Sequence, residues 1–376
     1  MQIDFHHGAT YCIARLAGFS HPEASIVAHC AQYVDDATNG GLIRFKDGIS
    51  LFLRVSSAHK MLDYRNFEEL ANHRVWIPFH FLPGNGGLPA GQDPDGPDPT
   101  NLLVNKIICR PNSHVAQDMV RECIQRKYRP YALHRLGIVM HVYADTWAHQ
   151  GFVGINHPVN KATRLLDDQG RPDEQKQKHI EEYFEKSFVE QMVNTVSNRA
   201  MSKIMPLGHG AVLSYPDRPF LKWGYTNGLG IKVERDNPKD FLEAAEWMYR
   251  WMYRYRVSNP DASVPELAPM DKTHIDRMFR TITDTDKKKR HQKWLDSIRS
   301  GEFSFGPANP TYISKGKGSW KCEALGNDCE NDSENEKYSY QASFLDSNWK
   351  LFHDALNAHR FFVIHELLPK YGLCEA

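Results

Sequence analysis

Along much of this chain, apolar residues recur every three or four positions, the spacing that lines one face of an α-helix. Ile26, Val27, Cys30 and Val34 share such a face. Ser20–His21–Pro22–Glu23 just before them reads as a helix start, with Ser20 or His21 near the cap, so the pattern predicts a helix running to about Ala37. A shorter helix is predicted from Ala9 to Leu16, closed by Gly18. Further helical patterns cover about 112–126, 131–150 and 239–256, a pair within 50–72, and one or two amphipathic helices within 173–204. Phe344 to Leu368 reads as a final packing helix that stops at Pro369. Four stretches read otherwise. The first residues alternate, which predicts an extended segment with Asp4 and His6 on one side and His7 on the other. The run VWIPFHFLP at 75–83 is apolar but broken by two prolines, so it is ordered and irregular. Residues 84–100 and 301–339 are loops by their Gly, Pro and polar content. There is no internal repeat and no convincing linker. The expected fold is all-α, a single multi-helix domain over 1–376 with long loops.

The segment 131–150 departs from ordinary amphipathicity. Leu136, Ile138, Val139, Met140, Val142, Tyr143, Ala144, Trp147 and Ala148 surround the helix with apolar groups, which predicts burial on all sides. His141, Asp145 and His149 nevertheless fall within about 80° of one another, stacked over two turns, and His134 joins the same stripe. A buried carboxylate needs a cation or hydrogen-bond donors. Histidine, aspartate and histidine at i, i+4 and i+8 can serve two neighbouring metal ions, with the central carboxylate bridging them. The competing reading is a hydrogen-bonded ladder that only fixes helix packing.

Other residues add to a donor set. Asp35 and Asp36 close an apolar helix, where carboxylates oppose the helix dipole and call for a cation. The helical wheel does not choose between them; His29 shares the side of Asp36. His80 sits inside the proline-framed aromatic run, and His59 is a weaker candidate. His209 lies between Gly208 and Gly210, which let backbone approach a site closely, and Asp217 follows as ligand or supporting partner. His353, Asp354 and His359, set among aromatic residues, read as packing and capping groups, and the aromatic stripe at 247–255 as core or interface.

Composition sharpens this picture. The 376 residues hold 19 histidines, the commonest metal ligand, while 46 basic and 46 acidic residues cancel. A neutral chain lacks the basic footprint expected of a protein that grips nucleic acid by its phosphates. No stretch is long and apolar enough for a membrane span, and MQIDFHHGAT is not a secretory signal. The seven cysteines include no CxxC pair; Cys322 and Cys329 could pair, and the others read as buried thiols, so a cytoplasmic location is expected. No GxSxG, GxxxxGK[ST] or HExxH motif is present.

HVYADTWAHQGF at 141–152 resembles the HxxxDxxAHxxF signature of proteins related to zinc-dependent phospholipase C, which in turn resemble the S1/P1 nucleases. Taken together, MQIDFHHG, QYVDDAT, WIPFHFLPG, HVYADTWAHQGF and PLGHGAVLSYPD resemble an uncharacterised bacterial family over most of the chain. The distant likeness implies an all-helical, phospholipase C/P1 nuclease-like fold with three clustered metals held by His, Asp and Glu side chains and by a mature N-terminus. Two departures stand out: His149 follows Asp145 more closely than the next histidine does in those enzymes, and no tryptophan amino terminus is exposed by processing. Asp4 and His6 are the expected substitutes for that amine. The expected activity is a metal-dependent hydrolysis, with two or three zinc ions, of a small-molecule or lipid phosphate ester or phosphodiester. Its expected ligands are Asp4, His6, Asp35, Asp36, His80, His141, Asp145, His149 and His209, with Asp145 bridging and Asp35 or Asp36 completing the cluster or acting as base. Two alternatives are a non-catalytic helical protein with a structural metal site and an HD-type nucleotide phosphohydrolase built on His353–Asp354.

Overall fold

The computed structural model describes the chain except for residues 60–68, 95–98, 179–181, 183–206, 327–336 and 374–376. In chain order its helices are α1 (Thr10–Leu16), α2 (His21–Asp36), α3 (Glu69–Phe79), α4 (Pro99–Ile107), α5 (His114–Gln125), α6 (Ala132–Ala148), α7 (Asn237–Arg256), α8 (Pro269–Thr281), α9 (Lys287–Arg299), α10 (Trp320–Leu325) and α11 (Asn348–Phe362). The strands are β1 (Gly41–Phe45), β2 (Leu51–Arg54), β3 (Ala162–Leu166), β4 (Lys222–Asn227), β5 (Lys232–Asp236) and β6 (Lys337–Tyr338).

The all-α expectation is therefore corrected: the fold is mixed, with two three-stranded sheets ordered β2-β1-β6 and β3-β4-β5. These strands are short, and their turns carry the missed signal. In the β1–β2 hairpin Asp47 Oδ1 accepts the N–H groups of Ile49 and Ser50, and Gly48 has φ +72°. Asp-Gly between apolar runs is a hairpin signature, and it puts β2 at the start of the helix pair predicted within 50–72; the part of that prediction at 60–68 lies outside the described residues, and α3 begins at Glu69. Asn227 and Gly230 turn β4 into β5 in a similar way. The predicted helices of 173–204 lie mostly outside the described residues, as does Cys329.

Helix α6 is the centre of the molecule, with every residue from His134 to Ala148 buried. Helix α2 begins with the capping box of Ser20 and Glu23 and lies unusually close to α6. Gly137 permits this approach, since a Cβ there would stand 2.4 Å from the Val27 carbonyl oxygen and 2.5 Å from Cys30 Cβ. The close crossing brings the C-terminal end of α2 against the polar stripe of α6. No helix among the described residues is long and apolar enough to cross a membrane.

The chain start is not extended. Asp4–Ala9 forms a turn of π-helix, a rare geometry often found at functional sites. This correction moves Asp4 away from His6. Asp4 Oδ2 accepts from Arg290 Nε at 2.6 Å, with both groups fully buried, and Arg290 also donates to the Asp284 carbonyl at 2.7 Å. Asp4 thus clamps the first residues onto α9. Arg290→Met leaves a buried carboxylate without its cation. Thermal or denaturant unfolding of that variant is expected to show a loss of about 3–5 kcal/mol, partly recovered by adding Asp4→Asn.

Candidate metal centre

Four segments converge on the His141–Asp145–His149 stripe. The π-turn delivers His6, whose ring stacks on His141 at 3.9 Å. The end of α2 delivers Asp35, the residues after α3 deliver His80, and the turn 207–217 delivers His209 and Asp217. Three groups result, the first two sharing His141, each compact enough to hold one ion: His6, His141 and Asp145; Asp35, His80 and His141; His149, His209 and Asp217.

Asp145 joins them. Its Oδ1 lies 2.6 Å from the Met1 amine and 3.2 Å from His6 Nε2. Its Oδ2 lies 3.2 Å from His141 Nε2, 3.4 Å from His80 Nδ1 and 3.6 Å from His149 Nδ1. Asp217 Oδ1 is 3.1 Å from the same amine and 3.5 Å from His149 Nε2, while its Oδ2 is 3.6 Å from His209 Nε2.

The outer faces of the imidazoles determine what the inner faces can do. His141 Nδ1 bonds the Ala31 carbonyl at 2.6 Å, His80 Nε2 that of Ser57 at 2.9 Å, His149 Nδ1 that of His80 at 2.7 Å, and His209 Nδ1 that of Leu213 at 2.7 Å. A carbonyl oxygen only accepts, so each of these four nitrogens is an N–H donor. In the neutral tautomer the opposite nitrogen is then a lone pair, and all four point into the cluster. Backbone-oriented histidine of this kind is the usual support of a metal ligand.

Electrostatics points the same way. Burial opposes charge on Asp145, but His149, the Met1 amine and His141 hold its pKa well below the usual carboxylate range. The amine is raised to about 11: burial lowers it, yet Asp145 and Asp217 outweigh burial. Burial is resisted at His141, where Asp145 and Asp35 raise the pKa. Burial prevails at His149, lowered to about 4 against the pull of Asp145, and at His6, held well below its ordinary value by burial and by His141. The neutral ring of His149 therefore turns its Nε2 lone pair to the ionised Asp217 carboxylate 3.5 Å away, unless a cation lies between. Neither nitrogen of His6, nor Oδ1 of Asp217, has an aligned hydrogen-bond partner despite burial. A divalent ion at each group fits this donor set.

Some expected residues stand elsewhere. Asp4 is taken by Arg290, as described above. Asp36 turns away from Asp35 and accepts from the Tyr312 hydroxyl and from Gln32 Nε2. His59 is buried but belongs to none of the three groups. His29 stacks on Trp320, and His134 bonds Asn348 Oδ1 at 2.9 Å. His353 accepts from the Val55 N–H, His359 donates to the Pro78 carbonyl, and Asp354 pairs with Lys350, so these helix residues are engaged outside the cluster.

Two participants were not in the expected ligand set. Asp217 is positioned by Asn237, which donates to the carbonyls of Tyr215 at 2.7 Å and Arg218 at 2.8 Å. The sequence signal was the YPDRP turn eight residues after His209. The Met1 amine carries no local sequence signal. Residues 1–367 match DUF6765, described as a family of unknown function. No curated protein and no solved structure matches the chain.

Proposed function

The chain belongs to the DUF6765 family, which brings no activity with it, and we propose from the site itself that the protein is a metal-dependent phosphoesterase. One observation carries the reading: four backbone-oriented imidazoles turn their inner nitrogens toward three carboxylates in a largely buried cluster. His6, Asp35, His80, His141, Asp145, His149, His209 and Asp217 would hold up to three divalent ions, zinc being favoured by the nitrogen-rich set. The Met1 amine is a further nitrogen donor once it gives up its proton. Such ions supply an acidified water and neutralise charge on phosphoryl oxygens.

The residues divide that work. Asp145, 1% exposed, belongs to one group and lies 3.4 Å from His80 and 3.6 Å from His149 of the other two. Asp35 and His209 are 32% and 19% exposed at the side chain and mark the open edge by which a substrate enters. That open edge favours a catalytic site over a closed structural one. Asp35 is the carboxylate placed to take the proton of an attacking water at that edge. The phosphorus–oxygen bond to the leaving group then breaks as the water oxygen adds. The substrate is a small-molecule or lipid phosphoester. Cys12, Cys30, Cys109 and Cys123, buried free thiols, fit a reducing cytoplasm.

Metal analysis of the purified chain, with hydrolysis of bis(p-nitrophenyl) phosphate before and after chelation and re-addition of zinc, tests the reading. The expected result is two or three zinc per chain and hydrolysis that follows them. One tightly held ion with no hydrolysis favours the structural-metal alternative. No bound metal at all overturns the proposal.

A further inference from the structure

The β2-β1-β6 sheet carries apolar side chains on both of its faces. Ile43, Phe45 and Phe52 turn inward, where Phe45 and Phe52 meet the ring of Phe344 at 5.1 and 5.2 Å. The alternate residues Leu42, Leu51 and Leu53 turn outward and are 45%, 57% and 58% exposed. Leu42 stands directly across from Leu53, and Leu51 lies two residues before Leu53 on the same side. The turn beyond them leaves Ile49 87% exposed, the most of any large hydrophobic residue among the described residues. An antiparallel sheet with one face in water ordinarily turns polar residues to it. Single exposed leucines need no explanation, but a contiguous aliphatic row running to a hairpin tip marks a contact surface. We propose that the outward face and tip of the β1–β2 hairpin dock on an anionic lipid bilayer. This surface lies outside the three metal-binding groups and needs no phosphoesterase activity.

Charge selects the occupant. Arg44 is exposed on the outward face opposite Leu51, and Lys46 is exposed where the turn begins. From Ala37 to Ser57 the one acidic residue is Asp47, whose Oδ1 accepts the Ile49 and Ser50 N–H groups. Aliphatic side chains that enter the headgroup–acyl boundary, flanked by Arg and Lys at anionic headgroups, are the chemistry of interfacial attachment. A second copy of this chain suits the face less well. The same patch would meet itself, bringing two sets of Arg44 and Lys46 together. The outward row is also aliphatic, without the Tyr and Trp that anchor protein interfaces.

The hairpin is braced against the candidate metal centre at both legs. Its first leg leaves the end of α2, so that β1 begins at Gly41 soon after Asp35. Its second leg ends at Ser57, whose hydroxyl donates to the Val34 carbonyl at 2.7 Å and whose N–H donates to that of Ala37 at 3.0 Å. The Ser57 carbonyl in turn accepts from His80 Nε2. A hairpin seated on lipid is thus fixed to the Asp35 and His80 group rather than hung on a free loop.

The test is co-sedimentation of the full chain with phosphatidylcholine vesicles, with and without phosphatidylserine. Expected is binding to the phosphatidylserine vesicles at least about tenfold tighter than to phosphatidylcholine alone. Ile49→Ser/Leu51→Ser should weaken it about tenfold or more, and Arg44→Gln/Lys46→Gln about tenfold. Ile49→Ser alone, at the most exposed position, repeats the measurement should the double variant fold poorly. Asp145→Asn should bind vesicles like the unaltered chain. Vesicle binding without hydrolysis of any phosphodiester therefore supports the docking surface even as the phosphoesterase reading fails. No binding to either vesicle, equal binding to both, or binding unmoved by the aliphatic and basic changes overturns it. So does a dimer in solution that Ile49→Ser/Leu51→Ser converts to monomer, an outcome that assigns the face to a second copy.

Discussion

Asp145→Asn is expected to abolish both bound metal and phosphodiester hydrolysis while leaving the far-ultraviolet spectrum unchanged. The carboxylate meets the Met1 amine and His6 through one oxygen and His141, His80 and His149 through the other. An amide of the same shape keeps one acceptor and replaces the other with N–H groups, which cannot ligate an ion and would face imidazole lone pairs or an ammonium. Loss of a mere supporting contact around a metal costs about 10- to 100-fold in affinity or activity. Removing a carboxylate that lies against histidines of all three groups should exceed that, so a decrease beyond about a hundredfold is the expected reading in a chromogenic assay. A variant that retains full metal and half its rate would show that Asp145 is a packing carboxylate and that the cluster is not the centre of chemistry. His141→Asn, which removes a member of two groups, should follow Asp145→Asn in both readouts.

The second large effect is on stability. On the proposed reading, chelation removes the cations that would reconcile the carboxylates with the lone pairs, so the metal-free chain must repel internally or take up protons. An ion present at a thousand times its dissociation constant stabilises the folded state by about 4 kcal/mol. For a chain of this size each kcal/mol corresponds to roughly 1–2 °C in Tm. Two or three ions therefore predict a decrease on the order of 10 °C on chelation, restored by adding zinc back. Arg290→Met provides the contrast. It weakens the fold through the Asp4 pair, outside the three groups, so its Tm should start lower and still fall by a similar amount with chelator. A Tm indifferent to chelator in both proteins would mean that the inward nitrogens and carboxylates are satisfied by protons alone.

Much of this site is legible in the amino-acid sequence. The apolar girth of α6 required burial, its period placed His141, Asp145 and His149 on one line, and glycines on both sides of His209 suggested a close approach. Local rules failed where the outcome depended on a distant partner. The helical wheel left Asp35 and Asp36 equivalent; the crossing of α2 over α6 at Gly137 and the pull of Tyr312 separated them. An alternating start predicted Asp4 beside His6, but Arg290, 286 residues away, draws Asp4 into an ion pair and winds the segment into a π-turn.

By itself, then, the amino-acid sequence determined that a greasy central helix carries a polar line, that a hydrogen-bonding or metal-binding answer to that line was required, and which histidines were candidates. Periodicity and hydropathy report on neighbours within a few turns, and these features are local. Tertiary structure alone decided the mixed fold, the choice of Asp35 over Asp36, the exclusion of Asp4, and the arrival of Asp217 and of the Met1 amine 144 residues from Asp145. Those outcomes turn on which long-range contact satisfies a buried charge most completely, and a one-dimensional pattern carries no record of that competition.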